Sequence, residues 1–195
     1  MATWLALVGF SIVSSITPGP NNVLLWASGA SFGFRATVPQ VLGTALGIGA
    51  MALVVAAGLG TLFTAVPELE VAMKVGASIY LLYLAWQVAG ARALERGTLA
   101  RPLGVRQAAA FQVLNLKAWI FALGAVTAFR PTELPVVAGS LVVAGTMAVV
   151  ILPTASLWAI AGNALGGLLA DGRTGRAVSL GLAALLAVTV VFVWI

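Results

Sequence analysis

Apolar stretches of about 20 residues, the length that carries a helix across about 30 Å of hydrocarbon at about 1.5 Å per residue, recur along the whole chain. Of its 195 residues 62% are hydrophobic and only 8% charged, where a soluble domain carries roughly a quarter charged. That leaves too little polar surface to cover a water-soluble fold. The expected fold class is therefore an all-α integral membrane protein, and its first partner is the lipid bilayer.

Hydropathy places six spans, at Trp4 to Ala27, Val38 to Leu62, Val71 to Ala91, Ala108 to Phe129, Val136 to Ala161 and Ala177 to Ile195. The breaks between them are Gly29 to Phe34 with Arg35, Pro67 to Glu70, Arg92 to Arg106, Arg130 to Pro135, and Asn163 to Arg176. The first apolar run reads as a retained span and not a signal peptide. Met1 to Trp4 lacks a basic region, and the run contains Thr17-Pro18-Gly19-Pro20.

Basic residues in short loops stay on the cytoplasmic side during insertion. If the loop bearing Arg92, Arg96, Arg101 and Arg106 is cytoplasmic, then so are Arg35, Arg173 and Arg176. The opposite side receives Lys74 and Arg130, with Glu68, Glu70 and Glu133. Both termini then face outward. Cutting at the basic linker, residues 92–106, leaves a first repeat at 1–91 and a second at 107–195, each with three spans, within one transport domain. An odd number of spans per half forces the halves into opposite orientations. This is the arithmetic of an inverted repeat, an architecture of secondary transporters.

Two positions carry chemistry inside the spans. In Pro18-Gly19-Pro20-Asn21-Asn22 two prolines remove backbone donors and Gly19 permits turn geometry, so the first span should be discontinuous at Pro18 to Asn21. Freed backbone groups cannot face lipid, and such a break lines a cavity or packs within protein. A simple proline kink is the plainer reading, and it suffices for Pro39 and Pro153.

Lys117, in Asn115-Leu116-Lys117 of the fourth span, is the one charged residue placed well inside a span, Lys74 standing in the first turn of the third. An ionised Lys near the bilayer centre costs about 2.5–3.5 kcal/mol on insertion scales, so it needs a partner, a wet cavity or a route to the interface. Snorkelling to the cytoplasmic face, roughly 15 Å back along the helix, is the alternative. Pro18 lies roughly 21 Å deep on the inward-running first span, and Asn115 about 11 Å along the outward-running fourth. The two positions thus share a height. A substrate site built from Pro18, Gly19, Pro20, Asn21, Asn22, Asn115 and Lys117 follows. Lys117 and the helix start after Pro20 would favour a carboxylate, as in a zwitterionic amino acid. No span carries an acidic residue, so no carboxylate proton relay is visible.

Other classes fare worse. The net charge of +5 comes from basic residues standing singly or in one loop, without an aromatic platform for nucleic acid. The chain has no Cys and no His, which removes disulfides, thiol chemistry and histidine metal ligands. No cofactor and no metal are implied, and a membrane enzyme would have few groups to work with. A passive channel or a structural membrane subunit is the stronger rival. Gly43 with Gly47, and Gly162 with Gly166, suit close helix packing, and Trp4 and Trp194 suit interfacial anchoring. The sequence leaves room for a homo-oligomer.

Several of these segments together resemble a known family. Thr17 to Asn22, then Gly33-Phe34-Arg35, Gly43-Thr-Ala-Leu-Gly47, Tyr80-Leu-Leu-Tyr-Leu-Ala-Trp86, Phe111-Gln-Val-Leu-Asn115-Leu116-Lys117 and Trp158-Ala-Ile-Ala-Gly162 stand in the order and spacing of the LysE family of bacterial amino-acid exporters. The resemblance covers nearly the whole chain and includes the homoserine and threonine exporter branch. It implies a secondary transporter of the bacterial cytoplasmic (inner) membrane that exports amino acids. Most of that family has Asn-Pro-Lys where this chain has Asn115-Leu116-Lys117, which implies a milder break in the fourth helix. Many members have a polar or acidic residue where this chain has Ile48. In these departures, and in the double Asn after Pro20, the chain is similar to the cysteine and O-acetylserine exporter branch, which implies small neutral amino acids or their derivatives as cargo.

Overall fold

The apolar runs form helices, and the interruptions fall where backbone chemistry demands them. The structure, a computed structural model, describes residues 2–59, 65, 67–89, 102–165 and eleven helical positions between 176 and 194. Among the described residues seven helices run without interruption: α1 (Ala2–Ile16), α2 (Pro20–Phe32), α3 (Phe34–Val54), α4 (Pro67–Ala89), α5 (Val105–Val113), α6 (Leu116–Phe129) and α7 (Val136–Leu165). Among the described residues two stretches are long and apolar enough to cross a bilayer, Phe34–Gly58, which extends α3, and Val136–Leu165, and a third arises if α5 and α6 form one bent unit. Most of the basic linker lies outside the described residues, as does much of the last expected span.

The first expected span is two helices. The chain leaves helical geometry only at Thr17, Pro18 and Gly19, whereas the whole of Pro18 to Asn21 was expected to be irregular. Pro20 and Asn21 instead open α2, because the first helical position never uses its N–H and suits the fixed φ of proline. Between α2 and α3 the expected loop shrinks to Gly33, whose φ of 84° favours a residue without a β-carbon. Pro67 likewise starts α4 where a loop was expected, and α7 continues past Ala161 to take in Asn163.

The fourth span is broken more sharply than a leucine at position 116 implies. The axes of α5 and α6 meet at 76°. The amides of Leu114 and Asn115 turn back to the carbonyls of Phe111 and Gln112, three residues earlier, which tightens and ends α5. Asn115 then takes extended geometry at φ −95° and ψ 95°, and its carbonyl receives the Ala118 amide at 2.8 Å to start α6. Proline is thus dispensable for the break.

Contacts give the helix directions. Trp4 Nε1 donates to Thr146 Oγ1 at 3.2 Å, and further on α2 crosses α7 at Gly29 and Gly162. Higher numbers meet higher numbers, so α1 and α2 advance along α7 in the same sense. Gly43 lies on Val105 and Ala108, and Gly47 on Ala109 and Gln112, so α3 and α5 are also parallel. By contrast α1 opposes α6, with Phe10 beside Phe121 and Phe129 while Thr17 meets Lys117. Trp194 Nε1 donates to Ser78 Oγ at 2.9 Å, which ties the last segment to α4. Arg35 and Arg106 open the parallel helices α3 and α5 and so share one end of the bundle; Arg130, after α6, lies at the other.

Polarity is inverted relative to a soluble protein. Leu5, Val13, Leu46, Val137, Val149 and Leu157 are each more than half exposed, while Asn21, Gln40, Thr44, Gln112 and Asn115 are buried. Such a surface is matched to hydrocarbon. The core is built on small residues, with Ala52, Ala122, Ala125 and Ala159 fully buried beside Leu25, Val143 and Met147.

The α2–α7 crossing has no spare room. A β-carbon on Gly29 would lie 2.0 Å from the Ala159 carbonyl oxygen, and one on Gly162 would lie 2.0 Å from that of Trp26. Gly162→Ala is expected to destabilise the purified protein by about 1–3 kcal/mol through forced separation of the helices. Gly145→Ala, with nothing within 4 Å of the new carbon, is expected to be neutral or stabilising by about 0.5–1 kcal/mol. Thermal unfolding in detergent, comparing the two variants, checks this.

Candidate functional site

The end of α1 sets the site. A helix terminus leaves carbonyls without intrahelical partners, and the turn at Thr17 to Gly19 adds more. Lys117 Nζ, from the first turn of α6, donates to Thr17 O at 2.5 Å, Thr17 Oγ1 at 2.8 Å and Pro18 O at 3.2 Å. Three acceptors use the three donors of an ammonium. Asn22 Nδ2 takes the carbonyls of Ser15 at 2.7 Å and Thr17 at 2.8 Å. Lys117 therefore turns onto the break. Gly19 makes room for it, since a β-carbon there would sit 2.9 Å from Lys117 Cδ.

Beside this clasp runs a chain of buried amides. Asn21 Oδ1 accepts from Thr44 Oγ1 at 3.1 Å and from Gln112 Nε2 at 3.0 Å, and Gln112 Oε1 accepts from Asn115 Nδ2 at 3.1 Å. Gln112 Nε2 also donates to the Ala108 carbonyl at 3.0 Å. The chain ends on Asn115 Oδ1, which is buried with no hydrogen-bond partner. Leaving an acceptor so costs about 1–3 kcal/mol.

Clasp and amides border a small, partly open cavity. Its polar wall is Ser14, Ser15, Asn21, Asn22, Thr44, Asn115, Lys117 and Thr154; its apolar wall is Ile48, Ala118, Phe121, Ile151 and Ala155. Water-accessible space amounts to about 30 Å³, room for a water or two and not for an amino acid. The first turns of α2 and α6 both border it, and each brings the positive end of a helix dipole. Among the described residues none that lines it carries a carboxylate. The arrangement offers a cation, amide donors and hydroxyls to a bound anion, and amide oxygens to a bound donor.

Of the seven residues expected at a site, Gly19, Asn21, Asn22, Asn115 and Lys117 line this cavity. Pro18 and Pro20 do not line it; Pro18 serves through its carbonyl and Pro20 by starting α2. Sequence reasoning missed Thr44, Gln112, Ser14, Ser15 and Thr154. Gln112 did leave a signal, being a polar residue three positions before Asn115 and so on the same helix face. Nothing local ties either to Asn21.

Comparison with known proteins agrees with this architecture. The model of the LysE type translocator family matches residues 12–195. The cysteine/O-acetylserine efflux protein of Escherichia coli strain K12 is 28% identical over 120 residues, and its namesake in Salmonella typhimurium strain LT2 is 26% identical over 120 residues. Each alignment covers 62% of this chain and 62% of the relative, so the chain spans less than two thirds of the length of the curated relatives it matches. No solved structure matches it. A family match that runs almost from end to end, over a fold with two broken helices around a polar cavity, means that this chain belongs to the LysE type translocator family.

Proposed function

We propose that this protein exports small amino acids or their derivatives across the cytoplasmic membrane by alternating access, with the cargo held where the two helix breaks meet. The observation that carries this is reciprocal. Asn21, second residue of α2, reaches Gln112 just before the break in the other half, and Lys117, second residue of α6, reaches Thr17 and Pro18 just before the break in the first.

Such an exchange is what two inverted repeats, 1–91 and 107–195, produce around a pseudo-two-fold axis. The helix pairings support it. Swapping the halves turns the α3–α5 contact into α7–α1 and the α2–α7 contact into α6–α3, and all four exist. The parallel pairs α1 with α7 and α3 with α5 fit a chain whose odd spans run one way and even spans the other.

The cargo class follows from the wall. Lys117 suits a carboxylate, and with no acidic residue lining the cavity a second positive charge on the cargo would go unmatched. The efflux proteins that this chain is similar to are named for cysteine and O-acetylserine, both compact and neutral overall. In this state the Lys117 ammonium is committed to α1. A carboxylate entering the cavity competes for it, and the end of α1 is released as it wins. Lys117 thereby holds the break together until cargo competes for it, which favours a carrier over a passive channel.

Three outcomes are expected. In sealed vesicles the purified protein should exchange labelled small amino acids by counterflow, which a structural subunit would not do. Lys117→Met, which keeps much of the length and removes the charge, should lower exchange at least about ten-fold with insertion preserved, and Lys117→Arg should impair it less. Wild-type exchange by Lys117→Met at matched protein levels refutes the role of the clasp. The seven-to-two distribution of loop basic residues supports a topology with both termini outside and the linker inside. Gly97→Cys should accordingly resist an impermeant thiol reagent in intact cells and react once the membrane is opened.

A further inference from the structure

The amide chain has a direction, and it points at the cargo. We infer that Asn115 Oδ1 receives the ammonium group of the exported amino acid and that Gln112 is the positioning residue that holds this oxygen free for it; the inference rests on the transport reading above. The assignment of each amide follows from one fixed point. The Ala108 carbonyl can only accept, so the Gln112 atom 3.0 Å from it is the nitrogen. That nitrogen also lies 3.0 Å from Asn21, which must therefore present its oxygen. The remaining Gln112 atom is then Oε1, and the Asn115 atom 3.1 Å away must be the donor Nδ2. Oδ1 of Asn115 is then left as a buried acceptor without a partner.

That oxygen is an acceptor without a protein donor, in a residue 5% exposed on the cavity wall. The geometry of a helix end does not require its side chain, because the start of α6 is bonded through the Asn115 carbonyl and the side chain makes no capping bond. An unpaired buried acceptor held in place by a four-residue network suits a ligand donor. The ammonium of an amino acid is such a donor, and no carboxylate on the wall competes for it. Asn115 and Lys117 flank Leu116 at one helix start, which brings an acceptor for the ammonium and a cation for the carboxylate to the same place. A neutral amide oxygen takes an ammonium without adding net charge to the membrane interior.

The test separates this from general damage. Counterflow of a labelled panel of amino acids is measured with unlabelled competitors in matched pairs, such as L-serine against 3-hydroxypropanoate, which differs by lacking the amino group. In the native protein the amino acid should compete at least about ten-fold better, the scale expected of a hydrogen bond to a charged group. Asn115→Ala removes the acceptor, and Gln112→Met frees the Asn115 amide to turn. Both should bring the ratio toward one, whereas a merely structural defect lowers competition by both compounds alike. Discrimination that is absent in the native protein, or that survives in both variants, overturns the assignment of Asn115 and leaves transport standing. Failure to exchange any amino acid overturns the transport reading and this inference with it.

Discussion

Every backbone polar group within hydrocarbon has to be paired inside the protein, and the break between α1 and α2 is where that constraint is hardest to meet. Prolines at 18 and 20 interrupt the helix and leave the carbonyls of Ser15, Thr17 and Pro18 exposed to the interior. A lysine ammonium and an asparagine amide from two different helices close the deficit. The rest of the centre follows from this pairing. Lys117 must begin α6 beside the end of α1, so α5 and α6 cannot form one straight rod. Gly19 has to be bare because the lysine stem passes over it.

Legibility in the sequence tracked how local each cause was. Proline and glycine act on their own backbone, so the discontinuity at Pro18 and Gly19 could be read directly, while its end was misplaced because Pro20 is also a good helix start. The fate of a buried charge could be narrowed to a few options, and the shared depth of Asn115 and Pro18 pointed to the inward one. The severity of the second break could not be read. It comes from two amides at Leu114 and Asn115 folding back on α5, and no residue type there demands it. The bonds of Thr44 and Gln112 to Asn21 were invisible because each joins residues far apart along the chain.

Close helix approach explains why those partners meet. A β-carbon on Gly43 would lie 2.3 Å from the Val105 carbonyl oxygen, and one on Gly47 would lie 2.8 Å from Gln112 Cγ. Bare backbone at both positions lets α5 settle into α3 and carries Gln112 to within 3.0 Å of Asn21. The small-residue spacing, read in sequence as ordinary packing, is thus also a device for placing a polar side chain. Packing and site are one arrangement here, since the apolar contact fixes the distance over which the amides bond.

The two helix starts at the site carry different chemistry. The second residue of α2 is a neutral asparagine, and the second residue of α6 is a lysine. In a strictly repeated structure both breaks would offer the same group, and a small zwitterion would have no preferred orientation between them. Replacing one by an ammonium makes that side attractive to a carboxylate. The amide chain then delivers an oxygen to the same helix start. If the cargo binds as proposed, its orientation is set by this difference, and a backbone of two inverted repeats, as proposed, would remain available to exchange which side of the membrane the site faces. The polar asymmetry and the pseudo-symmetric scaffold would then serve recognition and movement separately.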